Sequence, residues 1–206
     1  MRWISWFLVF FLLIAVVNAH QPRIVENTHT IVEEPEISKV YYGVLDGNPH
    51  YFKVENPKSI VLYVNILSPY PNGKTNYNVS ITENDQLIAN PTGNWTKYFE
   101  EFGNDEYYKG PEYKGFAEPG IYVIKVSNPK NTGKYALAIG KKEEFGPGDV
   151  LSAVVTMPKV KKDFFGKAPI TAYNNFLGIV VTGVFIIFAF FVFLLFLLLR
   201  MYIGYK

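Results

Sequence analysis

The chain has 206 residues, 20 Lys/Arg against 18 Asp/Glu for a formal net charge of +2, and no cysteine. That length carries one domain with flanking segments, and the near-balanced charge leaves no basic footprint for nucleic acid. Without cysteine there are no disulfides, thiolate metal centres or cysteine nucleophiles, so an exported domain must rest on its packed core.

Residues 1–19 read as a signal peptide. Arg2 is a minimal positive start, residues 4–17 are the apolar run, and Val17-Asn18-Ala19 supplies the cleavage positions, leaving His20 first in the mature chain. An uncleaved membrane helix is the alternative, and both readings put the middle of the chain outside the cytoplasm. Residues 20–37 are polar, with Pro22 and Pro35, and form a lead-in in which residues 30–32 can pair as an edge strand.

Residues 38–140 alternate short runs of Val, Ile, Tyr and Phe with turn residues, the signature of an all-β sandwich. Strands are expected at 38–45, 50–55, 59–67, 77–82, 86–89, 120–126 and 134–140. The run SIVLYVNIL at 59–67 is continuously apolar and so central. Residues 128–133 are expected to close a hairpin between the last two strands. Residues 90–119 break the pattern: Trp95, Tyr98, Tyr107, Tyr108 and Tyr113 stand among charged residues and Gly, with a strand possible at 95–102 and the remainder reading as a long aromatic loop. Such rings plug a sandwich end, anchor a protein partner or stack on sugars.

Residues 141–169 read as a membrane-proximal linker. Gly146-Pro147-Gly148 breaks the chain, Asp149 is a candidate N-cap, and a short interfacial helix over 150–157 ends before Pro158. Beyond it, Lys159, Lys161, Lys162 and Lys167 surround Phe164 and Phe165, and Tyr173 comes next. Lysines on anionic headgroups with phenylalanine wedges describe a segment lying on a bilayer. Residues 176–199 then run 24 residues without a charge, about 36 Å as a helix against a hydrocarbon core of about 30 Å. Asn174, Gly178, Thr182 and Ala189 place small and polar residues on one face, a pattern that allows helix association. The membrane helix is taken as 170–200 and the cytoplasmic tail as 201–206.

Two closing strands, Gly120, Tyr122 and Val126 followed by Gly133, Tyr135 and Leu137, match a G-x-Y-x-x-x-V … G-x-Y-x-L pattern. On these residues the segment 38–140 resembles the pre-peptidase C-terminal β-sandwich domains. The resemblance implies a jelly-roll-like extracellular accessory module, sometimes associated with carbohydrate or calcium, with no catalytic residues to carry over. The overall plan also resembles the GOLD-domain cargo receptors, but the paired cysteines, the long coiled coil and the Phe-Phe/Lys-Lys tail of that family are missing.

No catalytic signature occurs. The histidines are His20, His29 and His50, and no G-x-S-x-G, H-E-x-x-H or phosphate loop is present. Asp46 with Asn48, Asn84 with Asp85, and Asn104-Asp105-Glu106 offer oxygen ligands, but without the spacing of a known calcium loop they read as turns. Asn78 and Asn94 head glycosylation sequons. The expected protein is a single-pass cell-membrane protein whose extracellular sandwich is a non-enzymatic interaction or accessory subunit. A cell-envelope glycan-binding module is the alternative, and an unrecognised enzyme, predicting His50 in a pocket beside a carboxylate, is the third reading. The expected partners are membrane lipid, a membrane or surface protein and possible glycan, with no nucleic acid and no cofactor.

Overall fold

The computed structural model describes residues 20–144 and 146–204. The expected signal peptide and the last two residues of the expected tail lie outside them. Eleven strands form two facing sheets among the described residues. They are β1 (Gln21–Ile24), β2 (His29–Val32), β3 (Lys39–Asp46), β4 (His50–Asn56), β5 (Ile60–Pro69), β6 (Asn78–Glu83), β7 (Gln86–Ala89), β8 (Thr96–Glu100), β9 (Asp105–Ala117), β10 (Gly120–Ser127) and β11 (Thr132–Ile139). The first sheet runs β1-β3-β11-β5-β9-β8 and the second β2-β4-β10-β6-β7.

Alternation along the strands builds the core between the sheets. Phe52 and Val54 of β4, Tyr122, Ile124 and Val126 of β10, and Val79 and Ile81 of β6 meet Leu62, Val64 and Ile66 of β5 and Tyr135, Leu137 and Ile139 of β11. The continuously apolar β5 lies between β11 and β9, and its outward Leu67 joins a second apolar cluster on the far face of the first sheet.

Four expectations change. The lead-in is part of the sandwich: residues 29–32 form the expected edge strand, β2, paired in parallel with β4, and β1, not expected, pairs in parallel with β3, so one strand goes to each sheet. The last two strands are not a hairpin, because β10 lies in one sheet and β11 in the other. Residues 128–131 arch between the sheets, fastened by Asn128, whose Oδ1 accepts from the Lys130 and Thr132 N–H groups. The aromatic loop is a hairpin, β8–β9, in register from Thr96 opposite Lys109 to Glu100 opposite Asp105. Gly110 and Pro111, within the expected loop, are a bulge inside β9 between the residues opposite Leu67 and Asn65. Proline is tolerated there because a bulge needs no ladder donor, and Asn65 Nδ2 donates to both bulge carbonyls at 3.0 and 3.2 Å.

The fourth change is the linker. Helix α1 (Pro147–Lys159) packs across the first sheet, with Ala153 and Met157 buried against Val40, Tyr42, Ala136 and Ala138. Its N-cap is Gly146, and Asp149 is the third helical residue, accepting the Gly146 N–H at 2.9 Å. The helix runs through Pro158 instead of stopping before it. Proline there leaves the Val154 carbonyl without its helical donor. The Tyr173 hydroxyl supplies one at 2.9 Å, and the chain widens into a π-turn at Val160–Phe164. A 3-10 turn (Pro169–Tyr173) leads into helix α2 (Phe176–Gly204). Within α2, Leu177–Gly204 is long and apolar enough to cross a membrane, and most of its large apolar side chains are exposed.

Candidate functional site at the junction of sandwich and apolar helix

The tip of the β8–β9 hairpin meets the π-turn and the start of α2. Glu100 closes the hairpin turn by accepting the N–H groups of Phe102 and Gly103 at 2.9 and 2.6 Å. Burial raises the Glu100 carboxyl above its ordinary range, and these two donors offset part of that rise. Just beyond the turn, Asp105 is fully buried and takes two lysines from the other side of the junction. Lys161 Nζ lies 2.6 Å from Oδ2 and Lys167 Nζ 2.8 Å from Oδ1. Lys161 is itself 1 % exposed and also donates to the Gly103 carbonyl. Burial pulls its pKa down and Asp105 counters that pull. The Phe165 ring lies within 5.8 Å of the Lys161 ammonium and 5.3 Å of that of Lys167.

Aromatic packing surrounds the charges. Phe165 sets its edge against Tyr107 at 5.2 Å, Phe164 against Tyr42 at 5.1 Å, and the Tyr42 and Tyr107 hydroxyls lie 3.1 Å apart. Two further bonds tie the hairpin to the head of α2: Asn175 Nδ2 to the Phe102 carbonyl at 2.6 Å, and Asn104 Nδ2 to the Asn174 carbonyl at 3.3 Å. Gly178 is buried against the 3-10 turn, where an added Cβ would stand 1.8 Å from the Tyr173 carbonyl oxygen.

The structure thus brings together residues that the sequence placed in two separate surfaces. Tyr107, expected in a partner-binding loop, and Lys161 and Phe164, expected on the bilayer, are buried against one another, with Phe165 half-buried at their edge. Tyr107, Lys161 and Phe164 are therefore not an exposed interface, since they cover the outer face of the first sheet, whereas part of the Phe165 ring stays open. Tyr173 is half-buried as the hydrogen-bond partner of α1, while Lys159 and Lys162 are exposed. Of the helix-association residues, Gly178 is filled by its own chain, whereas Asn174, Thr182 and Ala189 are at least partly exposed. Asp105 escaped sequence reading because Asn104-Asp105-Glu106 has the composition of a solvated turn.

The remaining rings do not form a coplanar exposed row. Trp95 packs on the core beside Tyr77, with centroids 6.2 Å apart, and Tyr113 also packs on the core. Tyr108 meets Tyr70 edge-on at 62°. Tyr98 is 38 % exposed at the mouth of a cleft of about 110 Å³ beside Tyr63 and Lys109, and its neighbour Phe99, not singled out from sequence, is 51 % exposed. Asn78 and Asn94 are both exposed.

His50 does border a cavity, of about 240 Å³, whose lining includes Asp46, Asp163 and Glu26. The imidazole is buried, however, and its Nδ1 is 2.7 Å from the Tyr135 hydroxyl. Burial lowers the pKa of His50, with Asp46 opposing, and raises that of the Tyr135 phenol, so burial favours the uncharged form of both groups. Among the described residues the lining contains no serine. Among the described residues no three His, Asp or Glu side chains converge as metal ligands. Asn84, Asp85 and Asn104 all adopt positive φ and turn the chain.

No family model matches the chain, and no curated protein matches it. Among solved structures it is similar to the pre-peptidase C-terminal domain of a collagenase from Bacillus anthracis, with 13% identity and a TM-score of 0.35 over 60% of this chain and 98% of that one. It is also similar to a β-glucosidase from Paenibacillus barengoltzii, with 12% identity and a TM-score of 0.29 over 59% of this chain and 13% of that one. The first is of the family that the closing-strand residues Gly120 to Leu137 resemble.

Proposed function

We propose that this chain is a non-enzymatic accessory or interaction subunit of the cell membrane, with α2 in the bilayer and the sandwich outside. The observation that carries this reading is the buried junction of Asp105 with Lys161 and Lys167. A domain that needs only to stay near a membrane is served by a flexible tether. Here the segment from α1 to the head of α2 is ordered on the sandwich: a buried ion cluster fastens the π-turn and the loop after it to the β8–β9 hairpin, and Asn175, the residue before α2, bonds to the hairpin tip. Such a junction suits a protein that must present one surface at a fixed height and attitude.

The surface best suited to a protein partner is strand β8. Among the described residues it is the edge of its sheet, with one side of its backbone unpaired, and it exposes Tyr98 and Phe99. The test is affinity purification of the full-length protein from its own membranes in mild detergent. A stoichiometric membrane-protein partner lost in a Tyr98→Asp/Phe99→Asp variant, and kept in an Ile121→Asp control on the other sheet, supports the reading. Purification of the chain alone, with α2 nonetheless embedded in membranes, contradicts it.

A further inference from the structure

We propose that a cleft at the junction end of the sandwich binds the phosphate of an anionic lipid headgroup. The proposal rests on the reading of α2 as a bilayer helix. The cleft, of about 370 Å³, lies between the loop that follows β5 and the turn that follows the π-helix. Among the described residues its cationic groups are Lys74 and Lys134, and its lining contains no acidic residue.

Both lysines are held by backbone and hydroxyl oxygens only. Lys74 Nζ donates to the Thr132 carbonyl at 2.8 Å and to its hydroxyl at 2.5 Å, and Lys134 Nζ donates to the Phe164 carbonyl at 3.2 Å. Among the described residues no carboxylate lies within salt-bridge distance of either, although Lys161 and Lys167 nearby share one. An ammonium has three donors, so each keeps capacity for an anion's oxygens. Gly133 keeps this arrangement open. It has φ +111°, and a Cβ there would press on the Lys74 stem at 3.1 Å.

Position and the remaining lining select the ligand. Phe164, Phe165, Pro69 and Tyr70 give the cleft an apolar and aromatic wall beside its two cations. The turn that forms one wall carries Lys167, which reaches Asp105 on the hairpin whose tip is bonded to Asn175, the residue before α2. The cleft therefore opens at the end of the sandwich where the apolar helix begins, which is headgroup level when that helix spans. A phosphate joined to a glycerol and acyl body matches paired cations next to an apolar wall better than a free phosphate does.

The test uses full-length protein in detergent, titrated with dihexanoyl phosphatidylglycerol, dihexanoyl phosphatidylcholine and inorganic phosphate, with binding read by thermophoresis. The expected result is saturable binding of phosphatidylglycerol, weakened about tenfold or more in Lys74→Gln/Lys134→Gln. A Lys159→Gln/Lys162→Gln control, on exposed lysines outside the cleft, should bind as the unaltered chain does. Thermal melting of each variant separates loss of the site from loss of the fold, and Lys74→Arg/Lys134→Arg should retain binding. Equal binding of the two lipids, equal loss in the control, or phosphate competing as well as the lipid overturns the proposal. Resistance of the chain to alkaline extraction from membranes is read in parallel. An extractable chain would overturn the bilayer reading as well, whereas an embedded chain without lipid preference would overturn the cleft alone.

Discussion

Asp105 is the residue on which the junction turns. A buried carboxylate removed from water is tolerated only when its oxygens are matched, and here each oxygen meets its own ammonium. The two partners are unequal. Lys161 is wholly enclosed, while Lys167 is 44% exposed along its side chain. Asp105→Ala would strand Lys161 and should cost about 3–5 kcal/mol in thermal unfolding of the detergent-solubilised chain. Lys161→Met removes a buried charge yet leaves Asp105 paired with Lys167, and should cost far less. Equal losses would mean that Lys167 alone does not satisfy the buried Asp105 carboxylate. His50 gives a pH signature of its own. Its folded pKa lies below the ordinary 6.5, so in the window below 6.5 the unfolded chain binds the proton that the folded chain resists. Stability should rise with pH through that window and fall on acidification, and His50→Gln should flatten part of the slope. His20, also lowered by burial, contributes in the same direction.

At the scale of elements, the sequence was most legible where side chains alternate. The strands from β3 to β7, β10 and β11 stand close to their expected places because Val, Ile and aromatic residues at every second position have one buried face to fill. It was least legible where a local signal was overridden by a distant partner. The segment holding Gly110 and Pro111 reads as loop until Asn65 is seen to hold their carbonyls inside a bulge. Pro158 looks like a helix stop until Tyr173, from beyond the π-turn, supplies the donor that Val154 lacks. β1 and β2 carry too little pattern to reveal parallel pairing. Tyr173→Phe should therefore act on α1 rather than on membrane contact. It should leave the Val154 carbonyl unsatisfied, cost about 1–2 kcal/mol, and speed hydrogen exchange along α1 while the core strands exchange as before. Unchanged exchange along α1 would contradict that role. Gly178→Ala should loosen the other side of the junction, since the clash is with backbone and cannot be relieved by a rotamer. Faster exchange across residues 166–175 is the expected result, and unaltered protection would show the contact to be slack.

For the molecule as a whole, the apolar helix and the sandwich were both readable from composition, but their attachment was not. The candidate site residues divided accordingly. Tyr107, Lys161, Phe164 and Phe165 have the composition of exposed contact surfaces, and only the folded chain shows that these groups complete one another. A lysine among phenylalanines reads as a bilayer surface when its carboxylate lies 56 residues away in sequence. Whether this buried cluster makes sandwich and helix one rigid body is tested most directly by electron–electron spin distances in lipid nanodiscs. The chain has no cysteine, so labels at Lys114→Cys on the sandwich and Phe185→Cys on the helix report one pair alone. A narrow distance distribution that broadens when Asp105→Ala is added is the predicted result. A distribution already broad with Asp105 in place would contradict a rigid junction.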